Sequence, residues 1–246
     1  MFRNLRTLAV IPARGGSKGI PLKNIVPLAG KELLRYTTEF SSSLQWLDRC
    51  VVSTDHSRIA EVAREAEGIE IVWRPEELSG DRVGDIDVVR HAVIESERMF
   101  SEVFDLVVML QPTSPLRTEA HLLACINVLV DGMWDAVWTL SETPLSYHPL
   151  KQISLKPDGQ ICFYEESGEQ IVARQQLAPV FHRNGICYAI RRHTLESAGS
   201  LFLESRTAGV FVREPHVSID TLEDVRAVEA ILESAGGDHG NLGPFQ

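Results

Sequence analysis

Short apolar runs rich in β-branched residues alternate along this chain with longer segments whose apolar positions recur at helical spacing. The runs Leu8–Pro12, Cys50–Ser53, Glu70–Trp73, Leu106–Leu110 and Ala136–Leu140 predict strands. Between them, Lys31–Ser41, Ser57–Glu67, Ile86–Met99 and Glu119–Val130 predict helices; in the second, Ile59, Val62 and Ala63 fall on one face. Leu106–Leu110 has no polar interruption, the mark of a central strand covered on both faces. This alternation predicts an α/β fold built on a mostly parallel, doubly wound sheet with right-handed crossovers.

The alternation breaks at Ser141. From there to Val180 the chain is polar and turn-rich, with short strands predicted at Lys151–Leu155, Ile161–Glu165 and Ile171–Ala173. This stretch reads as an insertion that leaves the sheet and returns near Gly185. Strand character resumes at Ile186–Ile190 and Gly209–Val212, and Leu222–Leu232 predicts a helix with Val225, Val228, Ala230, Ile231 and Leu232 apolar. The expected organisation is one α/β domain from residues 1–140 and 181–234, an inserted segment at 141–180, and a Gly-rich, frayed tail at 235–246.

Composition narrows the function classes. The 246 residues are 44% hydrophobic and 24% charged, enough apolar material for a substantial core. The net charge of -10 argues against a nucleic-acid partner and requires a local basic pocket for any anionic substrate. No apolar run approaches the ~18 residues of a membrane span, and Thr7–Pro12 is too short for a signal-peptide core, so a cytoplasmic protein with no membrane association is the expectation. Cys50, Cys125, Cys162 and Cys187 are scattered without metal-binding spacing and read as buried free thiols rather than disulfides.

The strongest chemical signal follows the first strand. Within Ala13–Asn24, Gly15, Gly16 and Gly19 allow a tight turn that points amide N–H groups at an anion, and Arg14, Lys18 and Lys23 add three positive charges. The loop sits where open α/β sheets bind ligands. It matches neither the P-loop spacing nor the dinucleotide fingerprint, since Ile20 stands where the P-loop requires a glycine. A solvated glycine loop is the bland alternative.

The stretch Ala13-Arg14-Gly15-Gly16-Ser17-Lys18-Gly19, followed by Lys23-Asn24, resembles the A-R-x-x-S-K-G…K-N signature of the CMP-sugar synthetases, the cytidylyltransferases that activate acidic sugars. Further segments fit in order: Arg74-Pro-Glu-Glu-Leu78 with Asp81; Leu110-Gln-Pro-Thr-Ser-Pro-Leu-Arg117; His148-Pro-Leu-Lys151; Arg174-Gln-Gln-Leu177 with Asn184-Gly185; and Ile219-Asp220-Thr221 with Asp224. The resemblance covers about residues 7 to 232 and is to the sialic-acid, or nonulosonate, branch. It implies a Rossmann-like nucleotidyltransferase fold, with CTP and an acidic keto-sugar as substrates, Mg2+ as cofactor, and a homodimer formed through the inserted segment.

The resemblance also implies roles. Arg14, Lys18 and Lys23 would stabilise the triphosphate. Ala13, Gly15, Gly16, Ser17, Asn24, Arg74 and Gln111 would hold the nucleotide, with Arg74 on the cytidine part. Gln111, Lys151, Arg174, Tyr188 and Phe202 would meet the sugar, Phe202 from a segment that reaches the partner's site. Against these stand plainer readings: a solvated Lys151 and Arg174, a core Tyr188, and a simple proline turn after Gln111.

One position departs from the family. Its usual D-x-D at the start of the last helix is Ser218-Ile219-Asp220 here. Asp220 anchors the metal alone, with water or Ser218 filling the gap, or caps the helix, a role that Asp220-x-x-Glu223 and Thr221-x-x-Asp224 suit; a carboxylate at a helix start can also serve both. The other D-x-D, Asp85-Ile86-Asp87, opens a predicted helix, where acidic residues are favoured, and either carboxylate is a candidate nucleotide contact. No Ser-His-Asp or Cys-His arrangement stands out, so the expected reaction is a single in-line displacement. The competing readings are a nucleotide-sugar glycosyltransferase, an eight-carbon-sugar cytidylyltransferase, whose Q-G-D-E-P-type segment is absent, and a CTP-binding relative without turnover.

Overall fold

The computed structural model describes residues 1–236. In chain order the elements are β1 (Thr7–Pro12), β2 (Pro27–Leu28), β3 (Lys31–Glu32), α1 (Leu33–Ser43), β4 (Arg49–Thr54), α2 (Ser57–Ala63), β5 (Ile69–Trp73), α3 (Asp85–Phe100), β6 (Leu106–Met109), α4 (Glu119–Asp131), β7 (Ala136–Glu142), β8 (Ile153–Leu155), β9 (Ile161–Phe163), β10 (Phe181–Arg191), β11 (Thr207–Phe211) and α5 (Leu222–Gly236). Seven strands form the main sheet in the order β11-β7-β10-β6-β1-β4-β5. β10 runs antiparallel to both of its neighbours, β6 and β7, whereas the other pairings are parallel. The sheet is therefore mostly parallel, as the alternation predicts.

Pleating explains the layers. On β1, Ala9 and Ile11 face a core shared with Leu34, Ile59 and Ile126 of α1, α2 and α4. Leu8 and Val10 face the opposite side, against Val89 and Val93 of α3. A third apolar cluster matters more for function. Ile20 from the loop after β1 is buried together with Ile219, Val225 and Val228, so α5 and the segment before it are fastened to that loop.

Several boundaries differ from expectation. α2 ends at Ala63, where Gly68 follows at a positive φ of 72°, rather than running to Glu67. Lys31 and Glu32 pair with Pro27 and Leu28 in a small ribbon, so the helix predicted from Lys31 begins at Leu33. Residues 171–173 form no strand, and Lys151 lies in a 3₁₀ turn. β8 and β9 pair as a hairpin outside the main sheet. Cys162, on that hairpin, is exposed, contrary to the expectation of a buried thiol; Cys50, Cys125 and Cys187 are buried and free. The chain rejoins the main sheet at Phe181, four residues before Gly185. Ala235 and Gly236 belong to α5, and the rest of the expected tail lies outside the described residues.

Candidate active site

The loop after β1 is fixed at both ends. Ala13 is fully buried and its N–H donates to the Ser53 carbonyl at 2.9 Å, so the chain leaves the sheet only beyond it. The Gly15 N–H donates to Asp55 Oδ1 at 2.7 Å, and a Cβ there would lie 2.8 Å from His56. Asn24, buried, donates from Nδ2 to the Arg14 carbonyl at 3.0 Å and so ties the far end of the loop to its start. Gly19 passes so close to the Asp220 backbone that a Cβ would sit 3.0 Å from its carbonyl oxygen.

The three cations of the loop are held by carboxylates. Arg14 Nη1 and Lys18 Nζ reach the two oxygens of Asp81 at 2.9 and 2.8 Å. Their hydrogen bonds and charges, Lys18 foremost, hold the Asp81 carboxyl below the usual range. Lys23 Nζ meets Asp220 Oδ1 at 2.7 Å.

These groups line a cleft of about 650 Å³ together with Ser17, Asn24, Arg74, Asp85, Gln111 and Ser218. Its floor is the C-terminal ends of β1, β5 and β6. Arg74 is buried and donates from Nε and Nη2 to the hydroxyl and carbonyl of Ser53 at 3.2 and 2.8 Å. Burial lowers its pKa, with Asp55 and Asp85 opposing and Arg14 reinforcing that shift. Gln111 is set by a buried clamp. Arg117 donates to the Gln111 and Gly185 carbonyls, to Ile186 O at 3.1 Å and to Thr37 Oγ1 at 2.5 Å. Burial lowers the Arg117 pKa to about 9.

A second chamber of about 330 Å³ adjoins the cleft, and Val83 and Asp85 line both. Its wall is Met109, Trp138, Tyr188 and Arg183. Trp138 meets Tyr188 edge-on at 5.2 Å and Phe202 at 5.6 Å. Arg183 lies over the Trp138 ring at 5.7 Å. It is brought there by a large bulge: Arg183 pairs with Leu140, yet Tyr188 pairs with Trp138. Thr139 fills the gap, accepting from Cys187 N at 3.0 Å and donating to Asn184 Oδ1 at 2.7 Å.

The structure thus gathers Arg14, Ser17, Lys18, Lys23, Asn24, Arg74, Asp85, Gln111 and Asp220 around one cleft, with Tyr188 in the adjoining chamber. Ala13, Gly15 and Gly16 are not among its lining residues; the first two support the loop from behind. Asp87 lines neither space and pairs with Arg90 at 2.8 Å. Lys151 and Arg174 are exposed on the inserted segment, away from both. The helix cap is resolved by Thr221 and Asp224: Asp224 Oδ2 accepts from Thr221 N at 2.7 Å, and Thr221 Oγ1 accepts from Asp224 N at 3.2 Å. The Asp220 carboxylate is left free of the cap. Arg183, Trp138 and Asp55 escape sequence reasoning; the only signal was that Arg183 precedes the Asn184-Gly185 pair.

The sequence model for the family described as cytidylyltransferase matches residues 8–225. The chain belongs to the cytidylyltransferase family. The CMP-N,N'-diacetyllegionaminic acid synthase of Legionella pneumophila is 32% identical over 238 residues, spanning 93% of this chain and 97% of that protein. An N-acylneuraminate cytidylyltransferase of Streptococcus agalactiae is 29% identical over 222 residues, 89% of this chain but only 52% of that longer protein. Among solved structures, a CMP:2-keto-3-deoxy-manno-octonic acid synthetase complexed with CTP superposes with a TM-score of 0.67 at 18% identity, covering 94% of this chain and 99% of the other. That likeness speaks for the fold. Within the matched residues, Arg14, Ser17, Lys18 and Gly19 of the loop after β1 and Gln111 beyond β6 line the cleft.

Among the described residues no group of three or more His, Cys, Asp or Glu side chains could hold a metal, and no helix is long and apolar enough to cross a membrane.

Proposed function

We propose that this member of the family joins CTP to a nine-carbon acidic keto-sugar of the nonulosonate type, giving the CMP-sugar and pyrophosphate. One observation carries the reading: a cleft with three loop cations opens directly into a chamber whose lining holds a single cation, Arg183. A triphosphate suits the first, and a sugar carrying one carboxylate suits the second. The names of the Legionella and Streptococcus relatives support the sugar class.

In this reading Arg14, Lys18 and Lys23 exchange their carboxylate partners for phosphate oxygens. Arg74 holds the cytidine part, Asn24 braces the loop that carries the phosphates, and Gln111 sits between nucleotide and sugar. The sugar's anomeric hydroxyl attacks the α-phosphorus in line. Catalysis is positioning and charge stabilisation, with no covalent intermediate. The donor set fits magnesium: one carboxylate, Asp220, with Ser218 beside it in the cleft, suits an ion that takes most of its remaining ligands from phosphate and water. Magnesium, when bound, would neutralise phosphate charge. A CTP-dependent reaction belongs in the cytoplasm, where nucleoside triphosphates are made.

We assign residues 141–180 to dimerisation. Ile153, Leu155, Ile161 and Phe163 lie on one face of the β8–β9 hairpin by register, exposed by 56%, 74%, 62% and 41%. A second copy of the chain would cover them. Lys151 and Arg174 ride on this segment, so their contribution to the sugar is made at the interface.

The test is pyrophosphate release from CTP, with and without magnesium, across N-acetylneuraminate, its deaminated form, legionaminate and pseudaminate derivatives. Turnover with at least one sugar, dependent on magnesium, is expected. Tight CTP binding without turnover on any of them would instead establish a non-catalytic relative, the reading that Ser218 favours.

A further inference from the structure

The reacting oxygen of the sugar must sit where the nucleotide cleft meets the sugar chamber. Val83 and Asp85 are the residues that line both spaces, and only Asp85 can accept a proton. No histidine, glutamate or cysteine lines either space among the described residues. Two other carboxylates, Asp81 and Asp220, line the cleft, but neither lines the chamber. Asp85 has no ion-pair or hydrogen-bond partner for its side chain within the described residues. We propose that Asp85 is the general base of the reaction, taking the proton of the attacking sugar hydroxyl.

The inference rests on the cytidylyl-transfer reading above. As the hydroxyl oxygen forms its bond to the α-phosphorus, its O–H bond breaks and the proton passes to a carboxylate oxygen of Asp85. The bond between the α-phosphorus and the bridging oxygen breaks, and pyrophosphate leaves with the electron pair. Water takes the proton from Asp85 as the products depart.

The surroundings suit the role. Water reaches Asp85 through the two spaces it lines, while the surrounding protein desolvates it and raises its pKa, a shift that Arg183 and Arg74 oppose. Arg183 faces it from β10 and Arg74 from the end of β5. Tyr188, farther along β10, has its own pKa raised by burial, so it stays a neutral phenol and does not compete as a base. On its own helix, Asp87 is occupied by Arg90. Asp85 occupies the first position of α3, so its backbone place is set by a helix packed through Ile86, Val89 and Val93.

The experiment uses Asp85→Asn and Asp85→Ala beside the parent enzyme, with CTP saturating and the sugar varied across pH. In the parent, kcat/KM falls on the acid side with a single-proton limb above the ordinary carboxylate range. Asp85→Asn loses about 10²-fold or more in kcat and loses that limb, while its KM for CTP stays within threefold. Formate restores part of the activity of Asp85→Ala but does nothing for the parent. Formate rescue answers the case in which Asp85→Asn folds poorly. An acid limb that persists in Asp85→Asn, a kcat within threefold of the parent, or a change confined to the KM for CTP overturns the assignment. A parent inactive on every sugar overturns the substrate reading and this one together; an active parent with unimpaired variants overturns this one alone.

Discussion

Thr221 and Asp224 cap the last helix between themselves, and the neighbouring Asp220 is thereby free to face the cleft. The same division of labour between adjacent residues recurs at Arg183, the cation lining the second chamber, and Asn184, which is buried and bonded to Thr139. Arg183→Ala is expected to raise the KM for the sugar roughly tenfold to a hundredfold, the loss of one charge-assisted contact. KM for CTP stays unchanged; steady-state kinetics with each substrate varied would separate the two, and a rise in both would refute the chamber assignment. His216 gives a second residue-scale prediction. Its pKa is pushed down to about 4, chiefly by burial, with Arg117 and two histidines adding to the shift and a hydrogen bond to Asn184 opposing it. The unfolded chain binds this proton below about 6.5 and the folded chain only below about 4. Stability contributed above pH 6.5 is therefore lost as pH falls through that window, with a slope of up to about 1.4 kcal/mol per pH unit. Denaturant titrations of His216→Gln should show a flatter pH dependence; an unchanged slope would contradict the burial of a neutral imidazole.

Gly185 is the hinge of the β10 bulge. It adopts φ +72°, and a Cβ there would fall 2.4 Å from Gln111 Oε1 and 2.9 Å from Ser114 Oγ. Gly185→Ala should cost about 1–2 kcal/mol from the backbone alone and displace Gln111. Turnover should fall by more than the modest drop in melting temperature accounts for, and activity measured well below the melting point checks this. The sequence shows why such a feature is hard to foresee. β1, β4, β6 and β7 were legible because each holds an apolar run that its neighbours cover, and β5 because Ile69, Ile71 and Val72 keep that signal at the sheet edge. β10 was legible only in its second half, since Phe181, His182 and Arg183 are exposed and form no continuous apolar run. Its antiparallel direction and its bulge are matters of pairing between distant segments, which periodicity does not record. The nucleotide cleft was legible because one contiguous loop supplies its cations. The adjoining chamber was legible mainly at Tyr188, because Asp85, Trp138 and Arg183 come from three elements that meet only in the folded sheet.

At the scale of the whole molecule, an acidic chain of net charge -10 presents its loop cations already paired, while the apolar face of the hairpin stands uncovered. Sedimentation of the parent should give a dimer, and Leu155→Glu with Ile161→Glu should give a monomer of intact fold; a monomeric parent would refute the interface. The pair formed by Lys23 and Asp220 at 2.7 Å has a further consequence for the order of assembly. The ammonium holds one carboxylate oxygen, Oδ1, so an ion that took both oxygens of Asp220 would have to displace it. In the proposed reaction, a triphosphate that draws Lys23 away would release Oδ1 of Asp220 to the metal, and that coupling would be reciprocal. Lys23→Ala breaks this sequence. Titrated with Mn2+ in the absence of nucleotide, that variant should bind the ion more tightly than the parent. Its turnover should nonetheless fall by roughly 10²–10³-fold, and equal affinity in the two proteins would contradict the coupling. In the proposed reaction, one of the three phosphate-binding cations would thus also keep a lone metal ion from settling ahead of the nucleotide.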